Sequence, residues 1–430
     1  MTFSRKSRSG APLLKNLAAV ALPAVVAAVA VLGDGAMARA DSSSPTGAGS
    51  GISGEGAGQG SVSTSTGGAT TSITFDLPPA RGEAQPSLSL NYSSSSGEGE
   101  AGLGWHLSIP SISVARDPYA ATGEFPSGND RYRWNGRPLV RTCTAGACGG
   151  DPMAAAVGAA AVYRLQAETM EATFYLLPSR TWVVRYRSGV VEEYGQGKAS
   201  ESEGAIVVRS NLSSRVDRHG NRVEYVWSKD PTGDQRGGGL SYLTHIFYTQ
   251  PAGQGASAHS GYEHHVAVTW QTPGFQIPRQ RTPVWAATPR YRIADVTVAS
   301  KPPSGAGARE VVRRVRLNYY SDSDPPTVAP ADRAPFAGRS FLRTVQVEGR
   351  CTEPTPEPTV AEDDPPTPPA GPASCPTLPA TTYSYARPAE RTIHHSVAMH
   401  PRVTGGAMFG VARVTSVDID RDGFPDFVDG

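Results

Sequence analysis

Residues 70–92 read TTSITFDLPPARGEAQPSLSLNY, and this stretch decides the fold class. Two short runs in it alternate apolar and polar residues, and a pair of prolines ends the first run. The apolar members are Ile73, Phe75 and Leu77 in the first run and Leu88, Leu90 and Tyr92 in the second. A period of two is typical of half-buried strands, because successive side chains on a strand point to opposite faces. The stretch therefore predicts two β-strands.

The same alternation recurs through most of the chain. Further strands are predicted at residues 182–186, 191–194, 223–227, 242–249, 265–270, 291–299, 311–320 and 341–348. Only residues 154–162 have a helical pattern. Strands and helices do not alternate, which disfavours a parallel α/β fold. We therefore predict an all-β protein, with a multi-stranded antiparallel β-sheet shell or sandwich as its main module.

The first 40 residues have the three parts of a secretory signal peptide. Basic residues come first, an apolar run covers residues 17–32, and small side chains follow at Ala38 and Ala40. This layout predicts cleavage after Ala40 and a secreted protein. An uncleaved membrane anchor is the alternative. It is disfavoured because the run is shorter than the roughly 20 residues of a membrane span and contains Pro23. No later segment is apolar enough to predict a span.

Composition limits the partners and marks two linkers. Lys and Arg number 40 against 39 Asp and Glu, a net charge of +1 that favours neither nucleic acid nor an anionic membrane. Residues 41–66 are mostly Ser, Gly, Thr and Ala, which predicts a flexible linker because little apolar surface is available for burial. Residues 351–380 mix prolines with acidic residues and are interpreted as an extended linker or insertion.

The chain has four cysteines, which in an exported protein favours disulfides. They are Cys143, Cys148, Cys351 and Cys375. Four cysteines allow three pairings. We favour Cys143–Cys148 and Cys351–Cys375, because each pair brackets one loop. Four free thiols are the alternative, and a zinc site is less favoured because neither pair has CxxC spacing.

The sharpest local motif lies near the C-terminus, where residues 418–426 fit the pattern D-x-D-x-D-G-x-x-D. Carboxylates at alternate positions converge on one hard cation, and the glycine permits the tight turn between them. The motif predicts a calcium site formed by Asp418, Asp420, Asp422 and Asp426. Its flanks resemble strands, which is typical of propeller-blade repeats and not of an EF-hand. An acidic turn that binds nothing is the alternative.

No pattern in the sequence indicates catalysis. The chain contains no G-x-S-x-G, H-E-x-x-H or phosphate-binding glycine loop. Adjacent histidines at 264–265 and 394–395 cannot readily chelate as pairs, because neighbours on a strand face opposite ways. Asp217 and His219 belong to a polar turn predicted to join a hairpin. We therefore expect a protein that is not an enzyme.

Tryptophans offer a second hypothesis. Five of the six tryptophans are singled out, namely Trp105, Trp134, Trp182, Trp227 and Trp270. Most lie within strand alternations and are interpreted as core residues. Exposed tryptophans would instead be stacking platforms for sugars, and the chain would then be a secreted protein that binds carbohydrate or a cell surface.

Residues 68–116 contain the segments GATTSITFDLPPARG, QPSLSLNYSS, GLGWHL and SVAR. In their order and spacing these segments resemble the opening of the SpvB family, which includes the virulence-plasmid B protein and the B subunits of insecticidal toxin complexes. Later pieces at residues 130–140 and 182–195 resemble further blocks of the family. Residues 215–225 resemble the D-x-x-G-N…Y core of the YD repeats in Rhs shells.

The resemblance implies an architectural role. It implies an SpvB-like β domain at 67–350 and, at 381–430, the start of an FG-GAP/VCBS-like β-propeller. In that family the sheet helps to build a hollow shell around a toxic C-terminal part, and the propeller docks on a translocation subunit. Both polypeptides are therefore expected partners. The family's ADP-ribosyltransferase occupies a separate C-terminal domain with no counterpart here, and we expect a fragment or truncated product.

Overall fold

A computed structural model describes fifteen segments of the chain, all within the unit Ser53–Gly430. They are residues 60–62, 68–114, 132–144, 146–148, 150–167, 171–203, 206–233, 239–250, 259–273, 289–302, 307–320, 339–350, 375–385, 414–417 and 426–429. These residues form twenty-four strands, one short α-helix and two 3-10 turns. None of their helices is long and apolar enough to cross a membrane. The predicted all-β class is confirmed.

The strands are numbered here in chain order. The first twelve are β1 (Ser61–Val62), β2 (Ala69–Thr74), β3 (Ser89–Ser93), β4 (Glu98–Gly99), β5 (Gly102–Leu103), β6 (Trp105–Leu107), β7 (Ser111–Val114), β8 (Tyr132–Trp134), β9 (Arg137–Thr144), β10 (Ala161–Leu165), β11 (Ala172–Leu176) and β12 (Trp182–Tyr186). The others are β13 (Val191–Tyr194), β14 (Ser200–Glu203), β15 (Ile206–Val216), β16 (Arg222–Ser228), β17 (Tyr242–Tyr248), β18 (His264–Gln271), β19 (Arg292–Ser300), β20 (Glu310–Tyr319), β21 (Leu342–Glu348), β22 (Thr381–Thr382), β23 (Val414–Val417) and β24 (Asp426–Asp429). The helix α1 spans Pro152–Ala156.

The stretch that opens the sequence argument forms a small antiparallel sheet in the order β1-β2-β3-β6. Ile73 lies opposite Leu90, and both side chains are buried in the apolar core. Pairing continues past the end of β2, because the N–H of Phe75 donates to the carbonyl of Leu88 at 3.0 Å. The predicted alternation therefore places the correct side chains on the inner face.

A second sheet contains sixteen strands, and β15 is its branch point. Residues 209–211 of β15 pair with β7, whereas residues 214–216 pair with β16 on one side and with β13 on the other. Strands β7 to β13 follow one another as antiparallel neighbours, so the pairing of β13 and β7 with β15 closes a ring of eight strands.

Aromatic side chains fill the interior of this ring. Tyr132 packs on Trp182 with 4.7 Å between ring centroids, and Trp134 packs on Phe174 at 5.7 Å. All four belong to the continuous apolar core. The ring is therefore a packed core, as expected when a closed sheet has only about eight strands.

Beyond β15 the sheet continues through β16, β17, β18, β19, β20, β21 and β22, and this part is called here the long sheet. One face is apolar and faces the small sheet, where Arg313 pairs with Asp76 at 3.0 Å and the Tyr248 hydroxyl donates to the carbonyl of Pro78 at 3.0 Å. The opposite face carries polar side chains. On it Arg314 and Arg316 both pair with Glu348, at 3.1 and 2.9 Å.

Three local expectations differ from the structure. The helix predicted at 154–162 is longer than the observed one. The observed helix α1 ends at Ala156, and residues 161–165 form β10. The predicted linker 41–66 contains β1, which pairs with β2. The prediction divided residues 375–385 between the linker and the propeller, but this segment runs along β21. The N–H of Gly349 donates to the carbonyl of Pro376, and the N–H of Leu378 donates to the carbonyl of Val347. Strand β22 then pairs with Thr344 and Val345. Backbone pairing with an exposed sheet edge outweighs the turn-like composition there.

Candidate functional site

The predicted hairpin turn between β15 and β16 is present and is organised by one carboxylate. Asp217 Oδ1 accepts hydrogen bonds from the N–H groups of His219 and Asn221, at 2.8 and 2.9 Å. Its Oδ2 accepts from Asn221 Nδ2 at 2.8 Å and from the N–H of Glu83 at 2.9 Å. Glu83 lies in the loop after β2, so this carboxylate fastens the small sheet to the large one.

Burial of Asp217 acts to raise its pKa, but the hydrogen bonds donated to it outweigh that effect and lower the pKa below its usual value. A carboxylate with a depressed pKa and four fixed donors is a structural anchor, since it is not available as a proton acceptor near neutral pH. Asp217 and His219 therefore have the turn role that the sequence predicted.

The histidines of β18 have separate partners. His264 Nδ1 lies 2.9 Å from Ser300 Oγ, and His265 Nε2 lies 2.9 Å from His245 Nδ1. Phe247 stacks in parallel on His265, with 4.3 Å between centroids. Burial, and then the neighbouring His245, hold the pKa of His265 well below its usual value. Adjacent histidines thus face opposite sides of the strand, whereas residues 394–395 lie outside the described residues.

The predicted disulfide and metal residues fall partly outside the description. Cys143 and Cys148 are disulfide-bonded, with 5.4 Å between their Cα atoms. Cys375 is also disulfide-bonded, whereas Cys351, Ala40 and the aspartates at 418, 420 and 422 lie outside the described residues. Asp426 begins β24, which pairs with β23, so the predicted calcium loop joins two antiparallel strands. The described residues contain no cluster of three metal-binding side chains.

All five tryptophans singled out by the sequence are buried. All five belong to the apolar core, as the first interpretation held. Trp227 and Trp270 retain 8% and 6% of their surface. These two line a cavity, which makes it the candidate binding site of the described residues.

The cavity has a volume of about 210 Å³ and is called here the junction cavity. It lies where the small sheet, the ring and the long sheet meet, because its lining comes from β6, β7, β14, β15, β16, β17 and β18. The indole N–H groups of its two tryptophans donate to backbone carbonyls, Trp227 to Leu212 at 2.9 Å and Trp270 to Leu243 at 2.8 Å. These bonds fix both indole rings at the cavity wall.

Two carboxylates from different elements reach the junction cavity. Glu201, only 3% exposed, accepts a hydrogen bond at Oε1 from the N–H of Ser241 at 3.1 Å. Its Oε2 lies 3.8 Å from Arg209 Nη1. Glu100 Oε2 accepts from the N–H of Leu107 at 3.0 Å. Both carboxylates are thus held in place as acceptors.

Sequence reasoning named the two tryptophans but missed Glu100, Glu201 and Arg209. In the sequence Glu201 belongs to a polar SESE run, which is typical of a solvated surface. It is buried because β14 pairs with β15, opposite Arg209. Only the long-range pairing brings these charges to the tryptophans.

These features define an all-β protein built on one branched antiparallel sheet. Residues 63–118 match the family model described as SpvB, the Salmonella virulence plasmid 65kDa B protein. The resemblance to the SpvB family predicted from the sequence is thereby confirmed for this segment. The FG-GAP-like ending stays a prediction. No curated protein sequence matches the chain.

Two of the solved structures that match, each with a TM-score of 0.50, share the fold. The crystal structure of TcdB2-TccC3 has a TM-score of 0.50 and 17% identity, covering 78% of this chain and 17% of that chain. The crystal structure of TcdB2-TccC3-TEV matches with a TM-score of 0.50 and 17% identity, over 81% of this chain and 17% of that chain. The N-terminal domain of the effector protein SpvB from Salmonella typhimurium strain LT2 has a TM-score of 0.43 and 16% identity, over 64% of this chain and 98% of that chain. The chain therefore spans about a sixth of the length of the TcdB2-TccC3 structures.

Proposed function

We propose that this chain is a secreted, non-catalytic structural module of a toxin-complex type of assembly. In this role its branched sheet forms part of a β-shell that encapsulates or presents another, toxic polypeptide. The observation that carries the proposal is the shared fold with the TcdB2-TccC3 structure, of which this chain corresponds to 17%. The SpvB match at residues 63–118 supports the same assignment from the sequence.

The two faces of the long sheet suit a shell wall. Its apolar face is covered by the small sheet of the same chain, so the wall is stable without a partner on that side. Its other face is polar, with Arg314 and Arg316 bonded to Glu348 and with Thr269 bonded to Asp295. The part of this face formed by β20 and β21 therefore presents few apolar contacts to an unfolded polypeptide beside it.

The proposed partners are the toxin-bearing polypeptide and a translocation subunit. The test is to produce the full chain together with the polypeptide encoded directly downstream and to measure the complex by size exclusion with light scattering. We expect co-elution at a fixed ratio and slower trypsin cleavage of the partner. Heat-denatured chain is the control. Separate elution, with equal cleavage rates in both samples, would overturn the assignment.

The non-catalytic part of the proposal has its own test. The purified chain is incubated with chromogenic glycosides, esters and phosphate esters and with NAD. We expect no turnover above that of a mock purification. Turnover that stays with the chain through successive columns would contradict this part and leave the shell role to the assembly experiment.

Calcium binding at the predicted loop is a further part of the proposal. The support is that β23 and β24 form a two-stranded antiparallel pair on either side of the loop, as expected for a blade-type calcium turn. Calorimetric titration of calcium into the full chain is expected to give saturable heat that Asp420→Ala abolishes and Asp363→Ala, outside the motif, retains. Heat that is absent, or equal in both variants, would reject the site.

A further inference from the structure

We propose that the junction cavity binds a single uncharged sugar ring. This inference does not depend on the proposed shell role, because it rests on the cavity and its lining alone. It assigns a ligand class to a site made by three parts of the fold.

The size of the cavity limits the ligand. A volume of about 210 Å³ corresponds to roughly seven liquid waters at about 30 Å³ each. Sites for drug-sized ligands begin near about 300 Å³. The cavity is therefore large enough for one sugar ring and too small for an oligosaccharide.

The charges around the cavity favour a neutral ligand. Glu100 and Glu201 contribute two formal negative charges, and Arg209 at the wall contributes one positive charge. A second positive charge lies beside the cavity, because Lys229 Nζ donates to Oγ of the lining residue Ser241 at 2.9 Å. Charges of both signs are therefore close together, with 3.8 Å between Glu201 Oε2 and Arg209 Nη1. A charged ligand of either sign would meet a like charge, whereas an uncharged ligand would not.

One acceptor in the cavity is ready for a ligand hydroxyl. Oε1 of Glu201 is engaged by Ser241 and, at 3.4 Å, by Asn211 Nδ2. Oε2 of the same carboxylate accepts no hydrogen bond from the described residues, and its neighbour Arg209 is 3.8 Å away. A hydroxyl can donate to this oxygen and accept from the guanidinium, since hydroxyl groups do both. Paired donor and acceptor positions are therefore matched by a polyol.

The two tryptophans supply apolar surface. Their N–H groups are already bonded to Leu212 and Leu243, so only the apolar surface of each indole is available to a ligand. Most of the remaining lining is polar, from side chains that include His106, Ser111 and Asn211. A site that combines indole surface with many hydrogen-bonding groups suits a ring that has C–H groups on one face and several hydroxyls.

The test uses the full exported chain and four probes, namely D-glucose, D-galactose, D-mannose and N-acetylglucosamine at millimolar concentrations. Binding is followed by saturation-transfer NMR and by tryptophan fluorescence. We expect saturable binding of at least one sugar. Glu201→Gln and Arg209→Gln should each weaken it by about tenfold or more, the effect of losing one hydrogen bond to a charged group.

Two control variants away from the cavity show whether a loss of binding comes from the site or from a general loss of folding. Glu192→Gln changes another buried glutamate, bonded to the hydroxyls of Tyr186 and Tyr194, and Arg187→Gln changes an exposed arginine paired with Glu171. Both should bind as the wild type does. If Glu201→Gln fails to fold, Arg209→Gln still decides the matter, because the Arg209 side chain is 44% exposed.

Three results would overturn the proposal. They are the absence of binding by all four sugars, binding that both cavity variants retain unchanged, and binding of tetramethylammonium or acetate at the cavity in place of the sugars.

Discussion

Replacing Asp217 with Asn tests whether one carboxylate joins the two sheets. Its two oxygens accept four hydrogen bonds, at 2.8 to 2.9 Å, from the turn itself and from the loop after β2. An amide in its place keeps one oxygen and two of these bonds. Its NH₂ group would face the other two donors, the N–H of Glu83 and the side-chain amide of Asn221, and could accept from neither.

The magnitude follows from the two lost bonds. A hydrogen bond to a charged group contributes about 1.5–3 kcal/mol. Because Asp217 is only 3% exposed, little of this is screened by solvent. Taking the lower value for each bond, we expect Asp217→Asn to lower the free energy of unfolding by about 3 kcal/mol. At about 2–4 °C per kcal/mol for large domains, Tm falls by about 6–12 °C.

The assay is urea and thermal unfolding at pH 7, followed by circular dichroism. Asp76→Asn is the matched control, because the Asp76 side chain is 66% exposed and its ion pair with Arg313 should contribute only about 0–1 kcal/mol. The comparison separates a buried anchor from a surface charge.

Acid adds a second readout. The pKa of Asp217 in the folded chain lies below its unfolded value of about 3.9. Its contribution to stability is therefore complete above that unfolded value and is lost as the pH falls through the folded pKa. The difference in the free energy of unfolding between wild type and Asp217→Asn should be constant above about pH 5 and should become smaller in stronger acid. A variant within about 0.5 kcal/mol of wild type at pH 7 would refute the reasoning.

Three further predictions concern glycine, histidine and the disulfide. Gly82→Ala should destabilise more than Gly136→Ala, because both have positive φ but only a Cβ at 82 would meet the β15–β16 turn, whereas nothing lies within 4 Å at 136; equal losses of Tm would contradict this. The pKa of His265 in the folded chain lies below its unfolded value of about 6.5, so its contribution to the free energy of unfolding is complete above about pH 6.5 and is lost as the pH falls through the folded pKa. His265→Gln should flatten the stability profile between about pH 7 and 5, and an unchanged slope would count against it. The double substitution Cys143→Ser and Cys148→Ser should lower the free energy of unfolding by about 2 kcal/mol through the entropy of the short loop, measured by urea unfolding; no loss would argue against this.

The strands could be predicted from the sequence because the alternation of apolar and polar residues in each strand depends on which of its faces is buried. The alternation at Ile73 and at Leu90 predicted their facing positions, and the polar turn at residues 217–221 predicted the hairpin of β15 and β16. What alternation cannot report is the partner of a strand. The pairing of Ser111–Ser113 with Arg209–Asn211 joins segments almost a hundred residues apart, and this pairing closes the ring. The periodicity of a strand indicates which of its faces is buried, but it does not indicate which other strand lies beside it.

The junction cavity illustrates the same limit at the level of a site. Its tryptophans could be named because tryptophan is rare and large, but their two roles, core and ligand wall, have one sequence signature. Glu201 could not be named from the sequence, because a glutamate between serines is typical of an exposed edge. Its burial comes from β14 lying against β15. A site beside a strand that pairs with four others, as β15 does, depends on the topology of the sheet, and local residue patterns cannot predict it until the branch at β15 is known.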